Sequence, residues 1–471
     1  MLFRRLYNDR LAQAAYLIAC QRSGQAIVID PLNDPEPYLA AARQDGVRIT
    51  MVTETHLHAD FVSGATALAK AAGAELLLSG AGSGTAGYDR SAFPQARWLR
   101  DGDQIDLGEV RLRTLHVPGH TPEHIVFLVT DRAAADSPIG LVSGDFLFVG
   151  DVGRPDLLER AVGVSGSMTG AARDLHASLQ RLATLPDHLQ IWPGHGAGSA
   201  CGKALGAVPQ STLGYERITN WALQPQSEMA FVNHVLEGQP DPPAYFARMK
   251  RINATGAPAA ATVQMSSDAD LRASLDRDAV AVDVRPAASF AHGHLKGALN
   301  VPLGKSFLGW AGSVIPPERD VVVIATPELR DAAVSAGREL QLIGLGPVLG
   351  VLTTDRLPSL DVGEVTVPAI AATSLGPVAG GGRLILDVRN RSEWDAGHVP
   401  GATNIPLTEL SSRVEELRAH GDRPIAVHCQ GGSRSAVAAS VLQAAGFTDV
   451  SNVEGGFAAW ARAGNRPATG P

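Results

Sequence analysis

Cysteine is scarce: there are three in 471 residues, Cys20, Cys201 and Cys429. So small and odd a set excludes a disulfide framework and leaves each thiol to be judged for reactivity. An excess of positive charge is also missing. The formal net charge is −8, which argues against a nucleic-acid partner. No run of about 18 apolar residues occurs, so no membrane span is expected. The opening Met-Leu-Phe-Arg-Arg-Leu-Tyr lacks the apolar stretch of a secretory signal, and the expected compartment is the cytoplasm. Hydrophobic residues make up 45% and charged residues 19%. Each domain can therefore build a core, and at about 150 residues per domain the length predicts three.

What is present is concentrated first in Thr53-Glu-Thr-His-Leu-His-Ala-Asp-Phe61. The segment Val47 to Val52 reads as a strand with Val47, Ile49 and Met51 on one face. His56, His58 and Asp60 follow on alternate positions, so three metal-competent groups leave the strand end together. Short strands (Tyr16–Ile18, Ala26–Asp30, Leu112–His116, Ile125–Val129, Gly140–Gly144) alternate with helices (Asp34–Gln44, Ala65–Ala72), an α/β pattern with strands feeding loops. Further polar residues fall at strand ends: His120 in Val-Pro-Gly-His, Asp145 in Ser-Gly-Asp, Arg154 and Asp156 in Gly-Arg-Pro-Asp, and His195 in Pro-Gly-His-Gly.

That ordered series, across residues 1–258, resembles the metallo-β-lactamase superfamily in the branch shared by glyoxalase II and the persulfide dioxygenases. The resemblance implies an αββα sandwich with metal at the loop edges of the two sheets. In the glyoxalase pattern two metals are bound, and the second needs a histidine directly after the motif aspartate. Here that position is Phe61. The resemblance then implies one Fe(II) held by His56, His120 and Asp145, with O2 and a thiol persulfide as substrates. Two histidines and one carboxylate suit such a site, and zinc is the alternative metal. His58, Asp60 and His195 become either a hydrogen-bonding network around the metal or part of a second ion site. His116 and His124 are expected to be structural, and Cys20 to be buried filler.

Cys201 lies in a glycine-rich loop six residues after His195, with Lys203 nearby to lower its pKa. It reads equally as a thiol near the substrate entrance or as a small loop residue. Residues 203–255 are helical by pattern. Their cations Arg248, Lys250 and Arg251, together with Arg154, fit either a substrate such as a glutathione- or coenzyme-A-like thiol or a solvated face.

After a linker at Asn253–Ala261 the chain repeats itself. Ala281-Val-Asp-Val-Arg285 returns as Ile385-Leu-Asp-Val-Arg389, and Gly-His-Leu-Lys-Gly-Ala at 293–298 returns as Gly-His-Val-Pro-Gly-Ala at 397–402, an offset of 104. The expected domains are 263–360 and 366–471. In the second copy the strand Pro424–Cys429 runs into Gln430-Gly-Gly-Ser-Arg-Ser435 and a helix from Ala436 to Ala445. A cysteine at a strand end, before a glycine loop and a helix N-terminus, is a thiolate site, with Arg434 adding charge. The Asp-Val-Arg, Gly-His-x-x-Gly-Ala and Cys-x-x-Gly-x-Arg-Ser elements resemble the rhodanese family. The resemblance implies that Cys429 carries sulfane sulfur, within the loop Gln430, Gly431, Gly432, Ser433 and Ser435. A phosphatase loop, Cys-x5-Arg, is one residue longer. In the first copy Ala325 stands at the cysteine position, so that copy is expected to serve as a spacer or interface.

The resemblances together imply a persulfide dioxygenase fused to an inactive and an active rhodanese-like domain, yielding sulfite or thiosulfate. Two alternatives stand beside this: a zinc thioester hydrolase of glyoxalase II type, and a non-catalytic binder of persulfide-modified partners. A homo-oligomer is expected, with neither nucleic acid nor membrane as partner.

Overall fold

A computed structural model describes residues 1–470 except 83–86, 161–162, 204, 240, 258–259, 261–262, 264–266, 361–362 and 376–381. It falls into two units, Met1–Ala260 and Ala261–Pro471. Several residues of the expected linker, and the expected boundary at 258, lie outside the described residues.

The N-terminal unit holds two six-stranded sheets. The first takes its strands in chain order: Leu2–Asn8, Gln13–Cys20, Gln25–Ile29, Arg48–Thr53, Glu75–Ser79 and Arg97–Leu99. The second runs in reverse order, from Ser211–Thr212 through Gln190–Pro193, Gly140–Gly144, Ile125–Asp131 and Val110–His116 to Gln104–Leu107. Strand side chains alternate between faces, and Gln13–Cys20 shows how one strand serves two cores. Ala14, Tyr16 and Ile18 face the space between the sheets, with Ile27, Phe127, Val129 and Trp192. Ala15, Leu17 and Ala19 face the other way, onto Tyr38, Ala41 and Leu68 of the helices Glu36–Gln44 and Ala65–Ala72. The outer face of the second sheet is covered by Leu175 and Leu179 of Ser167–Gln180 and by Phe231 and Val235 of Glu228–Leu236. The layers are α, β, β, α, as expected. Burying a Leu, Ile, Val or Phe side chain contributes about 1.5–3 kcal/mol, and a strand apolar on both faces, such as Gln13–Cys20, is held between two layers.

Two sequence expectations need correction. The strand leading to the metal loop is Arg48–Thr53, and Val47, Ile49 and Met51 do not share a face. Ala26 pairs with Ile49 but Ile27 with Met51, so Thr50 is an extra residue. That bulge turns Met51 toward the inter-sheet core while Val47, Ile49 and Val52 stay on the helix side. Residues 203–255 are not helical throughout. The helices are Leu213–Thr219, Glu228–Leu236 and Phe246–Thr255, and Ser211–Thr212 is an edge strand.

In the C-terminal unit both copies form parallel sheets, as fully buried apolar strands tend to do. The first has the spatial order Leu299–Asn300, Val280–Asp283, Val321–Ala325, Val348–Thr353. The second has Thr403–Asn404, Leu384–Asp387, Ile425–His428, Val450–Glu454 in the same places, and adds Ala369–Ala371 at the edge.

The duplication persists to individual hydrogen bonds. Arg285 and Arg389 each fork onto their own aspartate, Asp283 or Asp387, at 2.6 and 2.7 Å from Nη2. Each also reaches a glycine carbonyl, Gly293 or Gly397, at 2.9 and 2.8 Å. His294 stacks on Phe290 and His398 on Trp394, both with ring centroids 3.6 Å apart. The copies also touch. Asn300 N–H donates to Ser440 Oγ at 2.9 Å, and His294 Nε2 meets Gln443 Oε1 at 3.1 Å.

Candidate metal centre and thiolate site

The metal loop is organised by Asp30, a residue that sequence reading passed over. It is fully buried at the end of Gln25–Ile29 and takes a left-handed backbone, φ 55°. Its carboxylate accepts from Thr55 N at 2.6 Å and Thr55 Oγ1 at 2.9 Å, and meets His58 Nε2 at 3.0 Å. The only signal in the sequence was a charge directly after the apolar run Ala26–Ile29.

Asn253 closes the loop from the other side. Its Nδ2 donates to the carbonyls of His58 and Phe61, both at 2.8 Å, and its Oδ1 accepts from Ser63 N at 2.9 Å. Outer partners of this kind typically change metal affinity 10–100-fold when removed. Asn253→Ala should therefore weaken metal binding by about 10- to 100-fold, read by chelator competition. Unchanged affinity would show that the loop holds its shape without the clamp.

His56, His120 and Asp145 converge, with one ligand atom from each mutually within 4.8 Å, and all three are buried. Asp145 Oδ2 is 3.9 Å from His56 Nε2 and 3.6 Å from His120 Nε2. The proton positions follow from the partners. Thr55 Oγ1 spends its only proton on Asp30, so it must accept from His56 Nδ1 at 2.9 Å. His120 Nδ1 donates to the Arg154 carbonyl at 2.9 Å. Both Nε2 lone pairs are thereby directed toward Asp145. Burial and the surrounding histidines push His56 far below its usual pKa. Burial and the Lys250 charge bring His120 to about 3. Both are neutral, as ligation requires.

Burial raises Asp145 to about 6, and neither of its oxygens has a hydrogen-bond partner. An orphaned buried carboxylate facing two imidazole lone pairs fits a divalent cation. Gly153 permits the close packing here: a Cβ would lie 1.8 Å from the Asp145 carbonyl oxygen.

The other expected residues separate into distinct roles. His58 is held by Asp30, and Phe61 packs on its ring at a centroid distance of 4.3 Å. His124 stacks on His56 at 4.7 Å, and its Nε2 accepts from Asp145 N at 3.1 Å. Expected to be structural, it is in direct contact with two of the three candidate ligands. His195 Nε2 lies 3.3 Å from Asp60 Oδ2 and 3.5 Å from Asp145 Oδ1.

Arg154 does not reach outward for a substrate. Its guanidinium is fully buried, with Nε and Nη2 on Asp156 at 2.8 and 2.7 Å. Arg248, Lys250 and Arg251 are not one cluster, because a helix turns about 100° per residue. Arg248 is half-buried, Lys250 buried and Arg251 exposed. Cys201 is buried at 1% exposure rather than placed at an entrance. Lys203 does not lower its pKa, since its ammonium donates to the Glu237 carbonyl. Burial and the carboxylates of Asp60 and Asp145 instead push the thiol well up.

The second copy builds the thiolate site. The helix spans Ser433–Ala444 and begins three residues before the expected start, so Arg434 and Ser435 lie in its first turn. Gly432 takes φ 108°, which a side chain would disfavour, and its N–H reaches Cys429 Sγ at 3.1 Å. Ser435 Oγ adds a contact at 3.6 Å. Burial alone would raise the Cys429 pKa. The Ser435 hydroxyl and the N–H groups of Ser435, Gly432 and Gly431 outweigh it, and the net shift is downward. Arg434 forks onto Glu393 at 2.6 and 2.8 Å. Gln430 Oε1 lies 3.4 Å from Arg389 Nη1.

A depressed pKa keeps the thiolate populated below the pH at which a free cysteine protonates. Alkylation of Cys429 by iodoacetamide should therefore hold its rate on acidification past the ordinary thiol range, and decline only at lower pH. A mid-point at the ordinary thiol value would remove the cradle's electrostatic role. In the first copy, Ala325 is followed by the short 3-10 turn Pro327–Leu329, where proline has no N–H to offer.

Comparison with known proteins agrees with this division. Residues 8–195 match the metallo-beta-lactamase superfamily, and residues 267–350 and 375–463 each match the rhodanese-like domain. A hydroxyacylglutathione hydrolase of a Polaromonas species is 39% identical over 183 residues, 38% of this chain; the chain spans 60% of that protein's length. The mitochondrial persulfide dioxygenase ETHE1 of Bos taurus is 29% identical over 198 residues, 41% of this chain and 68% of its own. The crystal structure of a metallo-beta-lactamase from Staphylococcus aureus subsp. aureus COL is 38% identical with a TM-score of 0.67, covering 75% of this chain and 99% of its own. A solved relative 38% identical and matched over nearly its whole length places this chain in the metallo-β-lactamase superfamily, with two rhodanese-like domains following that fold.

Proposed function

We propose that the chain is a non-haem Fe(II) persulfide dioxygenase coupled to a sulfurtransferase. The observation that carries this reading is the buried set of two imidazoles and one carboxylate, in a chain that also cradles the Cys429 sulfur with N–H and O–H donors. Such a ligand set with open positions suits Fe(II) and oxygen chemistry. Bound there, Fe(II) would supply the redox chemistry for a balanced reaction in which a persulfide, O2 and water give the thiol, sulfite and two protons.

The chain's own residues orient and proton-lock that site. Thr55 and the Arg154 carbonyl hold the imidazole N–H groups, and His124 braces His56. At the second site the Cys429 thiolate attacks the outer sulfur of a donor such as thiosulfate. The S–S bond breaks, sulfite departs with its electron pair, and Cys429 becomes a persulfide. A thiol or sulfite then takes that sulfur, so the step runs either to make thiosulfate or to use it. The proposed partners are small thiol persulfides of glutathione or coenzyme A type. We include a homo-oligomer and a cytoplasmic setting in the proposal; no described helix is long and apolar enough to cross a membrane.

The deciding experiment is oxygen uptake by the Fe(II)-loaded protein on adding glutathione persulfide, with sulfite and thiosulfate assayed together. Uptake matched by product is expected; no uptake with any persulfide would overturn the proposal. A second reading, a zinc thioester hydrolase, is favoured by the 39% identity to a hydroxyacylglutathione hydrolase. Cleavage of a glutathione thioester without oxygen uptake would establish it.

A further inference from the structure

Two guanidinium groups stand by the loop that carries Cys429, and each already has a carboxylate. Arg389 is buried and forks onto Asp387, with Nη2 at 2.7 Å, and its Nη1 faces the neutral amide of Gln430. Arg434 forks onto Glu393 at 2.6 and 2.8 Å. Glu393 is itself fixed, because its Oε2 also accepts from Asn390 N at 3.0 Å in the capping box that opens the short helix Arg391–Asp395. The Arg434 pKa is raised by the Glu393 hydrogen bonds first and by Cys429 as well, so the guanidinium lies beside the sulfur while its charge is met by Glu393. The repeats set the two pairs apart. The Asp–Arg fork occurs in both copies, whereas Ser289 and Arg330 stand where the second copy has Glu393 and Arg434. The Glu–Arg fork therefore accompanies the thiol and not the fold. What stabilises the sulfur directly is dipolar: the Gly432 N–H at 3.1 Å and the Ser435 hydroxyl at 3.6 Å. A doubly charged donor brought against that thiolate meets no uncompensated cation, and like charges in a partly buried site repel. A persulfide reacting as R–S–SH brings no charge to its outer sulfur.

Resting on the carrier role proposed for Cys429, we propose that Glu393 sets its donor class: by holding Arg434 it disfavours the thiosulfate dianion and leaves neutral persulfides as the preferred donors. The Cys429 thiolate attacks the outer sulfur of R–S–SH, the donor S–S bond breaks, and RS⁻ leaves with the bonding pair. Cys429 becomes Cys–S–SH. An acceptor thiolate takes that outer sulfur in the same way and restores the Cys429 thiolate, so no oxidant or reductant is consumed. Glu393 touches neither reactant and acts through Arg434, as a positioning residue.

The test follows the loading step on full-length protein under anaerobic conditions, with glutathione persulfide or thiosulfate as donor. Cys429 persulfide is measured by mass spectrometry of the alkylated peptide, which separates it from Cys20 and Cys201. The readout is the ratio of the two second-order loading rates. Both donors meet the same thiolate, so any change in its population cancels. In the unmodified protein the persulfide should load faster by about 10-fold or more. Glu393→Gln keeps a side chain able to cap Asn390 but removes the charge. It should raise thiosulfate loading about 10-fold while the persulfide rate changes little. Thiosulfate loading as fast as persulfide in the unmodified protein would overturn the proposal, with no variant needed. So would a donor ratio unchanged in Glu393→Gln. Loading from neither donor would overturn the carrier role itself, and this inference with it.

Discussion

Cys429→Ser should abolish transfer of sulfane sulfur from thiosulfate to an acceptor thiol, by roughly three orders of magnitude or more, while persulfide-dependent oxygen uptake continues. The size follows from the proposed chemistry: the variant would remove the covalent carrier rather than weaken it, and a hydroxyl in the same cradle is a far poorer nucleophile. The environment built around sulfur makes the change specific. The N–H of Gly432, the Ser435 hydroxyl and the first turn of Ser433–Ala444 all stabilise a negative charge at that atom. The first copy offers no rescue, because Ala325 stands at the corresponding strand end. Parallel assays of sulfur transfer and oxygen uptake decide the matter. Retained transfer would remove Cys429 from its assigned role, and loss of both activities would show that the two sites are not separable.

Asp145→Asn is expected to have the opposite profile, eliminating oxygen uptake while sulfur transfer at Cys429 remains. Metal content should fall by more than about 100-fold in affinity, beyond the effect of losing an outer partner alone. The carboxylate faces two neutral imidazoles from a fully buried position. Its charge is the compensation that the cation needs, and an amide supplies none. The variant is nearly isosteric, so the packing against Gly153 and His124 is kept. Metal analysis alongside uptake separates the outcomes. Full metal content with lost uptake would give Asp145 a purely chemical role, and full uptake would exclude it from the centre.

Much of this molecule was legible because its signals are local. The apolar run at Tyr16–Ile18, the spacing of His56, His58 and Asp60, and the Asp-Val-Arg element that returns after 104 residues are each recognised within a short window. The parts that escaped are long-range. Asn253 grips the metal loop from almost 200 residues away, and Asp30 acts across a strand crossover. Thr50 reversed the face assigned to Met51 because a bulge adds a residue without an apolar signature. For Arg154, residue type gave the charge correctly, but only the fold shows that Asp156 takes it up. Cys201 was placed by its glycine neighbours, whereas the direction its loop turns the thiol is a tertiary property.

The contact between the repeats bears on why a copy without a thiol persists. The helix that presents Cys429 at one end is anchored further along by Ser440, buried beneath Asn300, and by Gln443 beside His294. A chain that shed the earlier copy would leave the Ser440 hydroxyl facing water and the flank of the working helix uncovered. The earlier copy, with Ala325 where the later has Cys429, still covers that flank. The shape it offers its neighbour is then a constraint in its own right: Asn300 meets Ser440 through its backbone N–H, so Ser440→Ala should lose that contact whatever side chain stands at 300.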